Sequence, residues 1–150
     1  MRAKYQVLVL PYRKEADEIT YCIFKRSDMD CWQFVAGGGE TEDASPLISA
    51  QREAQEEANI PIDANYFQLE TQCSIPTAHF PARAQWGKDC LVIPEYAFAV
   101  EVTNGAIQLS DEHTAFAWVD YATAMDSLQY DSNKTALWEL DQRLKIDLMK

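Results

Sequence analysis

The chain has 150 residues, of which 47% are hydrophobic and 25% charged, proportions of a soluble globular protein large enough for one domain with a substantial core. A net charge of −11 argues against a protein that grips nucleic-acid polymers through Lys and Arg, but not against one that binds a small phosphorylated ligand beside a metal or a few local cations. No apolar run approaches the ~20 residues of a membrane span, and the N-terminal stretch lacks a small-residue cleavage site, so a cytoplasmic protein is expected.

In chain order, Tyr5–Leu10 (YQVLVL) is a strand ended by Pro11, and Arg13–Glu18 is a polar turn. Ile19–Phe24 is the next strand and closes on Lys25 and Arg26. Cys31–Ala36 (CWQFVA) is a short strand that runs into Gly37, Gly38 and Gly39. A helix is expected over Pro46–Ala58, with Ser45 as N-cap, Pro46 at the first position, and Asn59 and Pro61 ending it. Tyr66–Ser74 reads as a strand, and Ile75–Asp89 as a long irregular loop of the kind that often carries function.

Leu91–Val102 is the most strand-like run, with Pro94 marking an edge or bulge. Asn104-Gly105 is a turn signal, and Phe116–Val119 is the last strand. Asp120 caps a short helix to about Leu128. Ser132 or Asn133 caps the final helix, whose stripe is Ala136, Leu137, Leu140, Leu144 and Leu148. Cys22, Cys31, Cys73 and Cys90 contain no C-x-x-C pair, which argues for reduced core thiols over zinc or a disulfide framework. The order defines an α+β domain spanning residues 1–150, a mixed sheet with helices on its faces.

The central helix separates packing from chemistry. At about 100° per residue, Leu47, Ala50, Ala54 and Ala58 share one arc, and Glu53, Glu56 and Glu57 share the adjoining one. Small alanines permit close approach to a sheet. Three crowded carboxylates repel one another, and Arg52 offsets only part of that charge; a hard divalent cation with oxygen ligands, Mg²⁺ or Mn²⁺, would offset the rest. Taken alone, such a face is more often simply solvated, but the glycines before it shift the balance toward a site.

This stretch resembles the Nudix box, G-x5-E-x7-R-E-U-x-E-E-x-G-U with U aliphatic. Gly38, Arg52, Glu53, Ala54, Glu56, Glu57 and Ile60 sit at the required spacing, while Ala44 replaces the first glutamate and Asn59 the last glycine. Asn is a mild change in a left-handed cap. Ala44 is the serious one; Glu40, Glu42 and Asp43 are alternatives for its role.

Softer likenesses, Lys25-Arg26, Trp32-Gln33, Ser110–His113 and Ser132–Lys134, extend the resemblance toward the dihydroneopterin triphosphate and dATP pyrophosphohydrolase branch. It implies an α/β/α sandwich-like fold and Mg²⁺-dependent hydrolysis of a phosphoanhydride in a nucleotide-type or pterin triphosphate substrate. The alternative is a binding module of the same fold without turnover.

On this reading Glu53, Glu56 and Glu57, with a main-chain carbonyl at Gly37 or Gly38, hold the metal, and Arg52 orients the carboxylates. Glu112 is the candidate general base. Lys25, Arg26, Trp32, Gly38, Arg83 and Trp86 are candidates for substrate contacts, the last two on a lid formed by the long loop. His113 is expected to be structural and His79 to lie on that loop. Tyr96, Phe98, Trp118 and Trp138 are expected in the core. A homodimer is left open.

Overall fold

The structure, a computed structural model, describes residues 1–103 and 107–146; the expected Asn104-Gly105 turn and Leu148 lie outside the described residues. Strand β1 (Arg2–Glu15) is the axis of the sheet. One edge of β1 pairs in parallel with β6 (Val92–Glu101), from Gln6–Glu95 to Tyr12–Glu101. Its other edge is shared. Residues up to Val9 pair antiparallel with β4 (Val35–Glu40), and Tyr12–Glu15 pair with β2 (Glu18–Arg26).

Beyond Tyr21, β2 leaves β1 and takes β3 (Trp32–Gln33) on that edge, with β7 (His113–Val119) on the other. Strand β5 (Asn65–Pro76) closes the far side against β6. Strands β3 and β4 therefore fill the wedge where β1 and β2 splay apart.

Side-chain alternation places two cores on the two faces. Val7 and Val9 join Phe24, Phe98 and Val100 under helix α1 (Pro46–Ala58). Leu8, Leu10 and Tyr12 join Tyr21, Ala97 and Ala99 under α3 (Tyr121–Ser127) and α4 (Asp131–Lys145). Burial on both faces explains why the middle of β1 reads as one unbroken apolar run. The expected α/β/α layering is what forms. No helix among the described residues is long and apolar enough to cross a membrane.

Several local expectations change. Strand β1 continues through Pro11, which falls between the last rung to β4 (Val9–Val35) and the first to β2 (Tyr12–Tyr21), where neither ladder uses its missing N–H. The polar turn shrinks to Ala16 and Asp17, with Ala16 at φ 56° closing a two-residue hairpin. Pro94 lies just before β6 begins to pair with β1 at Glu95, so the strand is an edge on that side. The long loop contains a 3-10 turn (Thr77–His79) and a short helix α2 (Arg83–Trp86).

Helix α4 starts at Asp131, with Tyr130 in the cap position and the expected caps Ser132 and Asn133 inside its first turn. Asn133 is instead a buried tether whose Oδ1 accepts the Phe34 backbone N–H at 2.8 Å. Its stripe of Ala136, Leu137, Leu140 and Leu144 is buried as expected, whereas Trp138 is 56% exposed on the outer face and Leu47 is exposed at the start of α1. Tyr96 and Trp118 are half-buried against the α1-side core, and Phe98 is fully inside it.

Replacing Asn133 by Ala leaves the Phe34 N–H buried without a partner. Urea unfolding should show a loss of about 1–3 kcal/mol, against less than about 0.5 kcal/mol for the exposed Trp138→Ala.

Candidate active site

Helix α1 has the boundaries its sequence predicts. The Ser45 hydroxyl accepts the Ile48 N–H at 3.4 Å, and Pro46 opens the first turn. At the other end Asn59 adopts φ 59°; its N–H donates to Gln55 O at 3.0 Å, and the Ile60 N–H reaches back to Ala54 O at 3.3 Å. The Asn59 bond is that of the αL ending, with Asn doing what glycine would do. Ala50, Ala54 and Ala58 are fully buried against the sheet, and this close seat brings the glutamates down with the helix.

Gly37 and Gly38 are extended residues of β4, not the turn of a loop, and pair with Val7 and Gln6 of β1. Their lack of a side chain makes room. A Cβ on Gly37 would overlap the Glu53 carboxyl, and one on Gly38 the Arg2 guanidinium. So β4 lies directly under the acidic edge of α1.

Arg52 ties these parts together. One terminal nitrogen donates to Glu53 Oε1 at 2.9 Å and lies 3.6 Å from Glu56 Oε2. The other donates to the Gly38 carbonyl at 3.0 Å and to Asp43 Oδ2 at 2.9 Å. Asp43 and then Glu53 raise the Arg52 pKa against the opposing effect of burial, so the guanidinium stays charged. Asp43 Oδ2 also accepts from the Ser49 hydroxyl at 2.6 Å and the Glu40 N–H at 3.0 Å. Burial opposes the ionised form of Asp43, but the bonds from Arg52, Ser49 and Glu40 prevail and hold its pKa below the usual 3.8. Of the three acids able to stand in for the glutamate missing at Ala44, it is Asp43 that meets the arginine.

Glu57 has no such support. It is 3% exposed, and neither carboxylate oxygen has a hydrogen-bond partner. Burial first, then the adjacent Glu112 and Glu53 carboxyls, drive its pKa far up. Burial likewise raises Glu53, against the pull of Arg52. Among the described residues no three His, Cys, Asp or Glu side chains form a finished cage for an ion, since Glu53 and Glu56 are turned toward Arg52. The donor set nevertheless fits a hard divalent cation: oxygens only, crowded, with an orphaned buried carboxylate at the centre. Glu53, Glu56 and Glu57 are the residues that would hold it, and Gly37 lies against Glu53.

Glu112 meets the helix through its loop. The Ser110 N–H donates to Glu57 O at 3.3 Å, and Ser27 fixes the loop from β2 through its N–H to Glu112 O at 3.0 Å. Glu112 also lines a cavity of about 1060 Å³, together with Arg26, His113, Gln33, Glu95 and Asn133. Arg26 donates from Nε to Asp28 Oδ1 at 2.7 Å. His113 is 5% exposed and tilted against Phe24 at 5.3 Å, and burial lowers its pKa, in keeping with a structural role. His79 lies on the cavity wall.

The other expected substrate contacts are not brought to this cavity. Lys25 pairs with Asp30 at 2.9 Å. Trp32 packs against the α4-side core, because neighbours on a strand point to opposite faces and Gln33 takes the cavity side. Trp86 is 7% exposed, and its Nε1 donates to Arg2 O at 3.1 Å beside Phe80 and the Arg2 guanidinium; it anchors the segment that was expected to be a lid. Arg83 lines a separate shallow groove with Phe80, Pro81 and Lys88. In the sequence Gln33 enters only as part of the resemblance and Glu95 is not singled out; a polar side chain inside an otherwise apolar strand (CWQFVA, LVIPEYAFAV) is the signal that places both at the cavity.

An acidic helix that meets a large cleft at Glu112 suits a hydrolase of the phosphoanhydride class. The NUDIX domain model matches residues 4–139, and the chain belongs to the Nudix family. It is a Nudix pyrophosphohydrolase acting on nucleotide-type substrates, of a family that generally uses divalent metals. The dihydroneopterin triphosphate diphosphatase of Haemophilus influenzae is 30% identical over 133 residues, covering 87% of this chain and 83% of that protein. A structure from Listeria monocytogenes assigned to the NUDIX hydrolases matches at 42% identity and a TM-score of 0.87, covering 99% of each chain. The dihydroneopterin triphosphate pyrophosphohydrolase of E. coli shares the fold at 22% identity and a TM-score of 0.73, over 91% of this chain and 93% of that one.

The orphaned Glu57 makes a test of stability. A carboxyl whose pKa is raised by folding contributes most below its ordinary value of 4.5 and loses that contribution as pH rises toward the folded value. With a chelator present, Tm should fall as pH increases from about 5 to about 8. Glu57→Gln should flatten the fall and raise Tm at pH 8 by at least roughly 2–4 °C, the shift made by about 1 kcal/mol in a chain of this size. For Asp43, Asp43→Ala should lower kcat/KM at least about tenfold by releasing Arg52, and Ala44→Glu added to it should restore part of the loss.

Proposed function

We propose that residues 1–150 act as one Nudix domain that hydrolyses a phosphoanhydride of a nucleoside triphosphate or pterin triphosphate, with Mg²⁺ as the cation and Mn²⁺ able to replace it. The observation that carries this reading is Glu112. It faces the orphaned Glu57 on one side and lines the large cavity on the other, so the acidic helix and the substrate-sized space share a border. The similarity to the Haemophilus influenzae dihydroneopterin triphosphate diphosphatase supports a triphosphate on a bicyclic heterocycle.

The bound cation would supply charge neutralisation at the phosphoryl oxygens and lower the pKa of attacking water. Glu53, Glu56 and Glu57 would hold it. Arg52 keeps Glu53 and Glu56 oriented and the Gly38 strand in place. Arg26, at the cavity wall, neutralises phosphate once it exchanges Asp28 for the ligand. Glu112 takes the proton of the attacking water, since it is the acid that both reaches Glu57 and opens onto the cavity. The protein acts in the cytoplasm, and a homodimer is compatible with the fold.

The test is a panel of deoxynucleoside triphosphates, dihydroneopterin triphosphate, ADP-ribose and dinucleoside polyphosphates with Mg²⁺, read as phosphate or pyrophosphate release. Chelation should abolish turnover. Glu57→Gln should remove nearly all of it, and Glu112→Gln should reduce kcat by about 10²–10⁴, the range of a general base. A Glu112→Gln effect below about threefold would remove that residue from the role. Unchanged rates in Glu56→Gln and Glu57→Gln would sink the metal assignment.

A further inference from the structure

Glu95 has no part in the chemistry above, yet it is the most costly residue in its strand. In β6, Ile93, Ala97, Phe98, Ala99 and Val100 are core residues, and Glu95 among them is a carboxylate only 5% exposed. Its partners are neutral. Oε2 accepts from Gln6 Nε2 at 3.2 Å, and Oε1 from Cys73 Sγ at 3.6 Å. Arg2 donates to Gln6 Oε1 at 3.1 Å, which turns the amide NH₂ of Gln6 toward the acid. A buried carboxylate without a cation is costly to keep. This one, together with Gln6, Gln33 and Ser132, lines the same cavity as Glu112.

Each carboxylate oxygen accepts two hydrogen bonds, so each of these has a second acceptor position that a ligand can take, displacing the Ser132 hydroxyl where it reaches the carboxylate. Two adjacent acceptors match a ring edge that offers two adjacent donors. A 2-amino-4-oxo heterocycle has that edge, a ring N–H beside an exocyclic NH₂, in guanine and in pterin alike. Adenine and cytosine offer a donor beside an acceptor. Uracil and thymine place a carbonyl on each side of a single N–H. All four leave a carboxylate oxygen facing a lone pair, and a buried group left unpaired is the strongest basis for rejection.

We infer that Glu95 is the specificity-determining residue of the cavity, selecting a 2-amino-4-oxo heterocycle, guanine or pterin, over the other bases. This rests on the reading of the cavity as the substrate pocket of a triphosphate hydrolase. Glu95 reads the heterocycle, and the acidic helix acts on the triphosphate.

The experiment compares kcat/KM for dGTP, dihydroneopterin triphosphate, dATP, dCTP and dTTP with the natural protein, Glu95→Gln and Glu95→Ala, alongside equilibrium binding of GTP and ATP with a chelator present. The natural protein should prefer the guanine and pterin substrates by about 10²-fold or more. In Glu95→Gln the preference should collapse at least tenfold, through a higher KM for dGTP and the pterin, because a carboxamide presents one donor and one acceptor. A purely structural Glu95 would lower Tm and all five substrates together, and that outcome overturns the inference. So does a flat or adenine-favouring preference in the natural protein, which needs no variant and leaves the hydrolase reading standing. Tighter binding of GTP than ATP, lost in Glu95→Gln, with no turnover of any substrate, would uphold the inference and sink the hydrolase reading.

Discussion

One guanidinium keeps the acidic edge of α1 in place. Glu53, Glu56 and Asp43 would repel one another if left to themselves, and Arg52 meets all three, at 2.9, 3.6 and 2.9 Å. Its fourth contact, the Gly38 carbonyl, fixes the helix to the strand beneath. A planar fork with donors on both terminal nitrogens can serve these directions at once, which an ammonium on a flexible stem would not. The clamp leaves Glu57 out. Burial, with Glu112 and Glu53 beside it, drives that carboxyl toward its protonated form, the state expected of a group whose partner comes from outside the chain.

The architecture places this clamp beside a cleft through the splay of two strands. Because β2 leaves β1 after Tyr21, the gap admits β3 and β4, and the glycine end of β4 meets α1 on one face of the sheet. On the other face, α4 packs on β5 and β1 and is tied by Asn133 to Phe34, which lies between β3 and β4. The cavity is bounded by Gln33 from β3, Glu95 from β6 and Asn133 from α4. The acidic helix and the cavity thus meet at Glu112, on the connecting loop.

What could be read from the sequence divides along a physical line. Features set by neighbours within a few positions were legible: the bounds of α1, the left-handed Asn59, the arc that separates Ala54 from Glu57. Features set by what covers a face were not. Trp138 belongs to an amphipathic helix but falls on its outer side, and Trp86 sits in an irregular segment but finds Arg2 to cover it. The choice between Trp32 and Gln33 needed the side of the pleat on which the cavity opens. Pro11 ends a strand by local rules, but here two partner strands change over at that residue and the β1 backbone continues. That the strand continues through Gly37, Gly38 and Gly39 is not legible either, because close approach of a helix to a strand leaves no mark in local propensity.

The substitution at Ala44 shows what the box pattern encodes. Its missing glutamate looked like the feature most damaging to activity, yet the arginine does not lack a carboxylate. Asp43 stands one position earlier, is shorter by one methylene, and still reaches Arg52, because the Glu40 N–H and the Ser49 hydroxyl draw its carboxylate inward. Ser49 is itself in contact with the Tyr5 hydroxyl at 2.6 Å, so a line of hydrogen bonds runs from β1 to the clamp. An aspartate held by three donors has fewer orientations open to it than a longer glutamate on the same loop. What the site requires is a carboxylate at one point in space beside the guanidinium, and residue spacing is only the usual way of putting it there.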